Sequence, residues 1–343
     1  MKKGVTIKDI ALKLNMSIST VSKALHKDSS ISTLTKERVE KQADEWNYVP
    51  NEAARHFKLN KTFTLGLIIP DLLDQFFVLA INGVEKIAIQ EKYNIIISQS
   101  HEDAVHEEKI VNTMIRNRVD GLIIAISKNT NDMGSFQKLI NIGIPVVFFA
   151  RQPKAAFYNY VTTNNEDGVM KAMEFLFKKG HKRIAHIMGP ESLSVSQLRF
   201  EGYKKSLQQH NIVFDPSLVK IVDLTPEATF NAMQQLMKMK APPTAIFTFK
   251  NYISLDAINY LKKKNPAQLT KIDFVGFGNL PLIRHLDHKP AASIEENSYE
   301  MGEEAARLIF QHIHSEDSGN PVSIKKIQIP CRLVIHKKRT YKA

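Results

Sequence analysis

"VTIKDIALKLNMSISTVSKAL", residues 5–25, decides how the rest of the chain is read. Its second half, "SISTVSKAL" (residues 17–25), carries four hydroxyl side chains, one lysine, and apolar residues at Ile18, Val21, Ala24 and Leu25. A helix that only covers a core puts long charged residues on its outer face. Small hydroxyls and a single lysine suit a face that touches a partner. In the first half, Ile7, Ile10, Ala11 and Leu14 follow Thr6 at helical spacing. "NM" then reads as a turn, and Ser17 as the N-cap of a second helix. A short helix, a tight turn and a capped second helix near the start of a basic module make a helix-turn-helix, whose second helix enters the DNA major groove. Val21, Ala24 and Leu25 then pack inward, leaving Ser17, Ile18, Ser19, Ser22 and Lys23 for DNA. Hydroxyls bond phosphates or base edges in little room, and Lys23 reaches guanine acceptors. Ser32 reads as the cap of a third helix, with Val39, Ala43 and Trp46 on its inner face.

Charge supports a polyanionic partner. Residues 1–62 hold 12 Lys and Arg against 7 Asp and Glu, and residues 325–343 hold 7 against none. The middle is balanced, with 28 of each, so the net charge of +12 sits at the two ends. A basic N-terminal module favours nucleic acid. The chain has 343 residues, enough for two or three domains. No apolar run approaches the ~18 residues of a membrane span. The N-terminal segment is amphipathic, with Asp9 and Lys13, so it lacks a signal-peptide core. The lone Cys331 rules out an internal disulfide. These features predict a cytoplasmic protein.

From Phe63 the texture changes. "TLGLIIPD", "NIIISQS", "VDGLIIAIS", "IPVVFFA", "RIAHIMGP", "PTAIFTF" and "IDFVGFG" are short apolar runs separated by helical stretches such as "FFVLAINGVEKIAIQ". Buried apolar strands alternating with helices predict parallel sheets in an α/β fold. Their number predicts two similar lobes, with ligand bound where carboxyl ends of strands face a cleft.

The opening stretch, "YVPNEAARHFK", "TLGLIIPD", "VDGLIIA", "GHKRIAHIMGP", "RFEGY", "PTAIF", "DFVGFG" and "YEMGEEAARLI" occur in one order. That ordered set resembles the lac-repressor family of bacterial transcription regulators over essentially the whole chain. The resemblance implies an N-terminal helix-turn-helix (1–49), a hinge helix and linker (50–61), and a two-lobed core like type I periplasmic sugar-binding proteins (62–343). It sets the first lobe at about 62–161 and 293–324, and the second at about 162–292 and 325–337. It implies a homodimer on a near-palindromic double-stranded DNA operator, and a small effector between the lobes. The absence of a carboxy-terminal heptad run favours a dimer over a tetramer.

Carried over residue by residue, the resemblance puts Ile18, Ser19 and Lys23 at base-reading positions. It puts Thr6, Ser17, Thr20, Ser22, His26, Ser32 and Thr35 at or near contacts with backbone or bases. Tyr48 and Asn51 bracket the start of the hinge. Phe57 stands where the family has a leucine that wedges into the minor groove, a role open to Phe, and Ala54 lets two hinge helices approach. In the cleft, Phe76 of "DLLDQFF" is expected to stack on a ring. Arg151 follows a strand end, and Arg199 matches the arginine that bonds the effector, its fork suiting hydroxyls or a carboxylate. Three departures stand out. Lys250–Asn251 replace an Asn-Asp pair, Gly278–Asn279 replace two acids, and Asn164 replaces an Asp with Asp167 nearby. Losing acids and gaining Lys250 shifts the site toward neutral or positive, which predicts either an anionic effector such as a sugar acid or sugar phosphate, or an altered site that is not a simple sugar site; the residues expected to hold the effector are Phe76, Arg151, Asp167, Arg199, Lys250, Asn251 and Asn279.

Other features carry no chemistry. "VGFGNLP" lacks the third glycine of a dinucleotide fingerprint. His101 and His106 are five apart, not the four of a helical zinc pair. "HKKRTYKA" reads as a solvated basic tail. With no Ser/His/Asp set and no P-loop, the chain is read as a non-enzyme that needs no cofactor or metal.

Overall fold

The computed structural model describes residues 5–49, 61–153, 157–318 and 323–336. It divides into two compact units, Met1–Thr62 and Phe63–Ala343. In the first unit, helices α1 (Ile7–Leu14), α2 (Ile18–Leu25) and α3 (Thr33–Glu45) each begin at a hydroxyl cap. Thr6 and Asp9 form a reciprocal capping box. Ser17 accepts the Thr20 N–H at 3.0 Å, and Ser32 accepts that of Thr35 at 3.3 Å. Each cap satisfies a donor that a helix start leaves unpaired. The turn closes because Asn15 adopts the left-handed conformation (φ 49°), where an Asn is tolerated. Its N–H returns to the Ala11 and Leu12 carbonyls, and α2 starts three residues later. Ile10, Ala11, Val21, Ala24, Val39 and Ala43 form the core, closed by Leu14, Leu25, Trp46 and Tyr48.

The second unit holds two six-stranded sheets. β1 (Thr64–Ile69), β2 (Asn94–Gln99), β3 (Gly121–Ile124), β4 (Val146–Phe149), β5 (Asn159–Thr163) and β11 (Lys326–Ile329) run parallel in the order β11-β5-β4-β3-β1-β2. β6 (Ile184–Met188), β7 (Val219–Ile221), β8 (Ala245–Thr248), β9 (Asp273–Phe277), β10 (Ala292–Glu295) and β12 (Arg332–Ile335) take the order β12-β10-β9-β8-β6-β7, with only β12 antiparallel. Helices α4 (Gln75–Gln90), α5 (Ala104–Arg116) and α6 (Gly134–Asn141) belong to the first lobe. Helices α7 (Asn165–Lys178), α8 (Ser194–Gln209), α9 (Pro226–Met237) and α10 (Asn251–Lys264) belong to the second. Helix α11 (Ser298–Ser318) returns to the first lobe and crosses α4 so closely that only glycine fits. A Cβ on Gly302 would lie 2.0 Å from the Ala80 carbonyl oxygen, and one on Gly83 2.1 Å from that of Tyr299.

The lobe borders differ from those expected. β5 reaches Thr163 in the first sheet, β10 stays in the second sheet to Glu295, and β11 belongs to the first sheet rather than the second. The physical reason for the last shift is Pro330. It ends β11, so "KIQI" and "RLVI" join different sheets although only Pro330 and Cys331 separate them. The three crossings lie side by side: Asn164 N–H donates to Ile329 O (2.8 Å), and Asn297 Nδ2 to Pro330 O (2.9 Å). β2 is an edge strand, and its Ile96 and Ile97 are exposed.

Candidate functional site

The outer face of α2 assembles the residues read from the sequence. Ser17, Ile18, Ser19, Lys23 and His26 are exposed, while Thr20 and Ser22 are half-buried. Ile18 is 46% exposed, an apolar side chain in water at the start of a helix whose core positions are already filled. Several of the hydroxyls also serve the fold. Ser17 Oγ lies 2.8 Å from Thr20 Oγ1, and Ser32 Oγ 2.9 Å from Thr35 Oγ1. Thr6 Oγ1 donates to Asp9 at 2.7 Å, and His26 Nδ1 donates to the Ser22 carbonyl at 2.7 Å. Ser19 and Ile18 are the side chains given over to the surface. Tyr48 packs on the core of this unit. Asn51, Ala54 and Phe57 lie outside the described residues.

The cleft between the lobes sits at the carboxyl ends of β1, β4, β6, β8 and β9, and Phe76, Arg151, Arg199 and Lys250 all line it. Each of its cations has a carboxylate partner. Arg151 forms a fork on Glu102 (2.7 and 2.9 Å) and donates to Ile126 O (2.6 Å). Burial pushes the Glu102 carboxyl up, but the hydrogen bonds and charge of Arg151 outweigh it and hold it below the usual range. Arg199 is almost wholly buried. It donates to Asn165 Oδ1 (2.8 Å), Phe249 O (2.6 Å) and Glu296 Oε1 (2.7 Å), and lies 3.5 Å from the Phe277 ring centroid. Burial raises the Glu296 carboxyl, and the Arg199 charge opposes it. Asn165 and Glu296 stand beside two of the three crossings, so Arg199 ties the hinge together. Lys250 reaches across the cleft to Asp74 at 3.3 Å. The charge that Lys250 brings to the site is therefore balanced.

Further contacts hold the lobes closed. Gln75 N–H donates to Tyr252 Oη (3.2 Å), which donates to Leu73 O (3.3 Å); Lys128 Nζ donates to Asp223 O (3.3 Å). The cavity left beside Arg199 is about 80 Å³. That is below the size of ordinary ligand pockets. A second hollow of about 230 Å³ adjoins it through Arg151 and Leu193.

Three expected cleft residues serve elsewhere. Asp167 pairs with Lys171 on α7 (2.7 Å) and faces a separate surface hollow. It sits one turn into α7, where it donates its N–H to the Asn164 cap. Asn251 is buried and supports the loop after β9 by donating to Gly278 O and to Ser293 Oγ (2.7 Å). Asn279 donates to Glu295 (3.0 Å) beside the cleft rather than within it. Asp74, Phe77, Phe249, Tyr252, Phe277 and Glu296 line the cleft and were not singled out from sequence. Only Phe77 carried a signal, as the second aromatic of "DLLDQFF". Among the described residues no His, Cys, Asp and Glu group is arranged to hold a metal, and no helix is long and apolar enough to cross a membrane.

Comparison with known proteins finds relatives for both parts of the chain. Residues 6–51 match the family described as bacterial regulatory proteins, lacI family. Residues 62–337 match periplasmic binding proteins and sugar binding domain of LacI family. The chain is 31% identical over 332 residues to the HTH-type transcriptional repressor CytR of Escherichia coli K12, covering 97% of this chain and 95% of that protein. It is 27% identical to catabolite control protein A of Priestia megaterium, covering 96% and 98%. Its fold matches the crystal structure of the lac repressor dimer bound to operator and the anti-inducer ONPF, with a TM-score of 0.83 at 22% identity, over 98% of this chain and 99% of that one.

Proposed function

This chain belongs to the LacI family of bacterial regulatory proteins, and we propose that it represses transcription from a near-palindromic operator, released or held by a ring-bearing effector that opens the Lys250–Asp74 latch. It is a DNA-binding regulator with a ligand-binding core, and its relatives are repressors, not enzymes. The observation that carries the operator reading is Ile18: exposed beside Ser17, Ser19 and Lys23, it has no structural duty in its own unit. Apolar contact with a thymine methyl and hydroxyl or lysine bonds to base edges are the chemistry of such a face. One such helix reads few bases, so a two-fold pair on half-sites about one turn apart follows. The exposed Ile96 and Ile97 on the β2 edge supply apolar surface for a second copy. Phe57, with Asn51 and Ala54 before it, is assigned to the operator centre; Phe57→Ala is expected to lower operator affinity and bending together.

The effector reading rests on the latch. Phe76, Phe77 and Phe249 line the cavity, and aromatic walls suit a sugar or another ring. Lys250 and Asp74 form the more exposed of the two ion pairs that line the inner cavity, and it spans the lobes. A ligand that separates them exchanges those bonds for its own, shifts lobe closure, and changes operator affinity through reciprocal linkage. An acidic sugar derivative would take the place of Asp74 on Lys250, and a neutral sugar would bond Asp74 as well. Thermal shifts with matched neutral and acidic sugars, on the wild type and Lys250→Met, test this. Stabilisation by an acidic sugar that Lys250→Met abolishes supports the anion. Stabilisation by neutral sugars alone selects the neutral ligand, and no stabilisation by either class rejects a sugar effector.

A further inference from the structure

The balanced charge of the middle of the chain hides one strongly uneven surface. Strands β6, β8 and β9 are parallel neighbours in the second lobe, so the segments leading into them share one edge of the sheet, opposite the edge that faces the cleft. Those segments are residues 178–183, 238–244 and 262–272. They contain ten Lys and Arg and no Asp or Glu. Hydrogen bonds place them together: Thr244 N–H donates to Arg183 O (2.9 Å), Arg183 Nε to Ala241 O (2.6 Å), and Asp273 N–H to Thr244 O (3.3 Å). The described chain ends at the same edge, where His336 N–H donates to Ala291 O (3.0 Å).

Part of this charge is structural. Lys179 pairs with the buried Asp273, which His181 also contacts, Arg183 pairs with Asp215, and Lys178 with Glu174. Lys263 lies over the Phe230 ring. Lysines after α9 and at the end of α10 also complement the helix dipoles. That accounts for placement of some, not for the surplus. Lys182, Lys238, Lys240, Lys262, Lys264 and Lys271 are all exposed, and none has a carboxylate within ion-pair distance among the described residues.

We propose that this edge of the second lobe is a second DNA-binding surface, which holds the phosphate backbone of a duplex other than the one read by α2. Two observations choose DNA over an acidic protein. The three segments expose no large apolar or aromatic side chain, whereas protein interfaces are anchored by aromatics and are depleted in lysine. The cations are also spread over three chain segments without a pocket, as sequence-independent phosphate contacts require. The surface would let one repressor bridge two stretches of DNA, and its strength would fall steeply with salt.

The test is a sandwich capture. Full-length protein is bound to an immobilised duplex at low salt, washed, and offered a labelled second duplex. The variant Lys238→Gln/Lys240→Gln/Lys262→Gln/Lys264→Gln/Lys271→Gln changes only exposed side chains and leaves α2 intact. The wild type is expected to capture the second duplex and the variant to lose about tenfold or more, with its hold on the first duplex unchanged. The matching five-Arg variant should restore capture, which distinguishes lost charge from lost fold. Capture that persists in the Gln variant comes from the helix-turn-helix units and overturns the proposal, as does no capture by the wild type. Retention of labelled polyglutamate with no second duplex would overturn it in favour of an acidic protein partner. Because binding to the first duplex is read separately, failure here is distinct from failure of the operator reading, on which the proposal rests only for its DNA context.

Discussion

In the N-terminal unit, the polar residues marked for recognition bond neighbours three or four positions away; in the cleft, they bond partners far along the chain. Ser17 with Thr20, Ser32 with Thr35 and Thr6 with Asp9 are local pairs. Arg151 with Glu102, Arg199 with Glu296 and Lys250 with Asp74 are 49, 97 and 176 residues apart. The difference teaches what each region can give up. A local cap keeps lone pairs available and costs little to disturb. A desolvated pair must be broken before its members serve a ligand, so the cleft couples binding to a change of shape.

The largest effect is expected at the most buried pair. Removing Glu296 leaves the Arg199 charge uncompensated in the hinge, and Glu296→Ala should destabilise the core by about 3–5 kcal/mol in urea unfolding. A loss under about 1 kcal/mol, the worth of an exposed pair, would erase the contrast drawn here.

Acid should single out the second lobe. His186 is fully buried between Phe247 and Tyr203, its Nδ1 donating to Phe247 O (3.0 Å) and its Nε2 without a partner. Burial lowers its pKa to about 4. Between the ordinary value of 6.5 and about 4, the unfolded chain binds a proton that the folded one refuses. Stability from this group is therefore complete above pH 6.5 and is lost as pH falls, by up to about 3 kcal/mol at the acid end. Denaturation midpoints against pH for the wild type and His186→Phe should diverge across that window; parallel profiles would refute the assignment.

Smaller effects separate cap from contact. Ser17→Ala should cost the N-terminal unit about 1 kcal/mol through its lost cap, read as its melting midpoint, and Ile18→Ala should leave that midpoint nearly unchanged. Operator affinity should fall in both. A small stability effect is also expected at the latch, where Lys250→Met should cost the core less than about 1 kcal/mol, yet expand its radius in solution scattering. An unchanged scattering profile would show that the lobes close without the pair.

The legibility of the chain follows the same division. Caps, turn and inward faces of the first unit depend on residues within one helical turn, so Thr6, Asn15, Ser17 and Ser32 are readable in order. The strands of the lobes were readable where they were apolar on both faces, as in "TLGLII" and "PVVFFA". β5, β7, β10, β11 and β12 were not, because "NYVTT", "VKI", "ASIE", "KIQI" and "RLVI" are short or edge strands that mix polar residues with apolar ones. In the cleft, four of seven expected residues line the cavity. Asp167, Asn251 and Asn279 were drawn there by proximity to a motif, and a helix turn or a loop bond redirects each. Glu296 sits in "SIEENSYE", one acid among three with nothing local to mark it as the partner of Arg199. No pattern in sequence reveals that Lys250 is neutralised from the opposite lobe.

The most direct test of the account is selection of random duplexes by the full-length protein at near-physiological salt, run in parallel with Ile18→Ala. The account predicts a palindrome with half-sites about one helical turn apart, and a change of preference in each half-site for the variant. Recovery of the same motif by both proteins, or of no motif by the wild type with or without neutral and acidic sugars, would contradict the assignment of the exposed face of α2 as the reading surface.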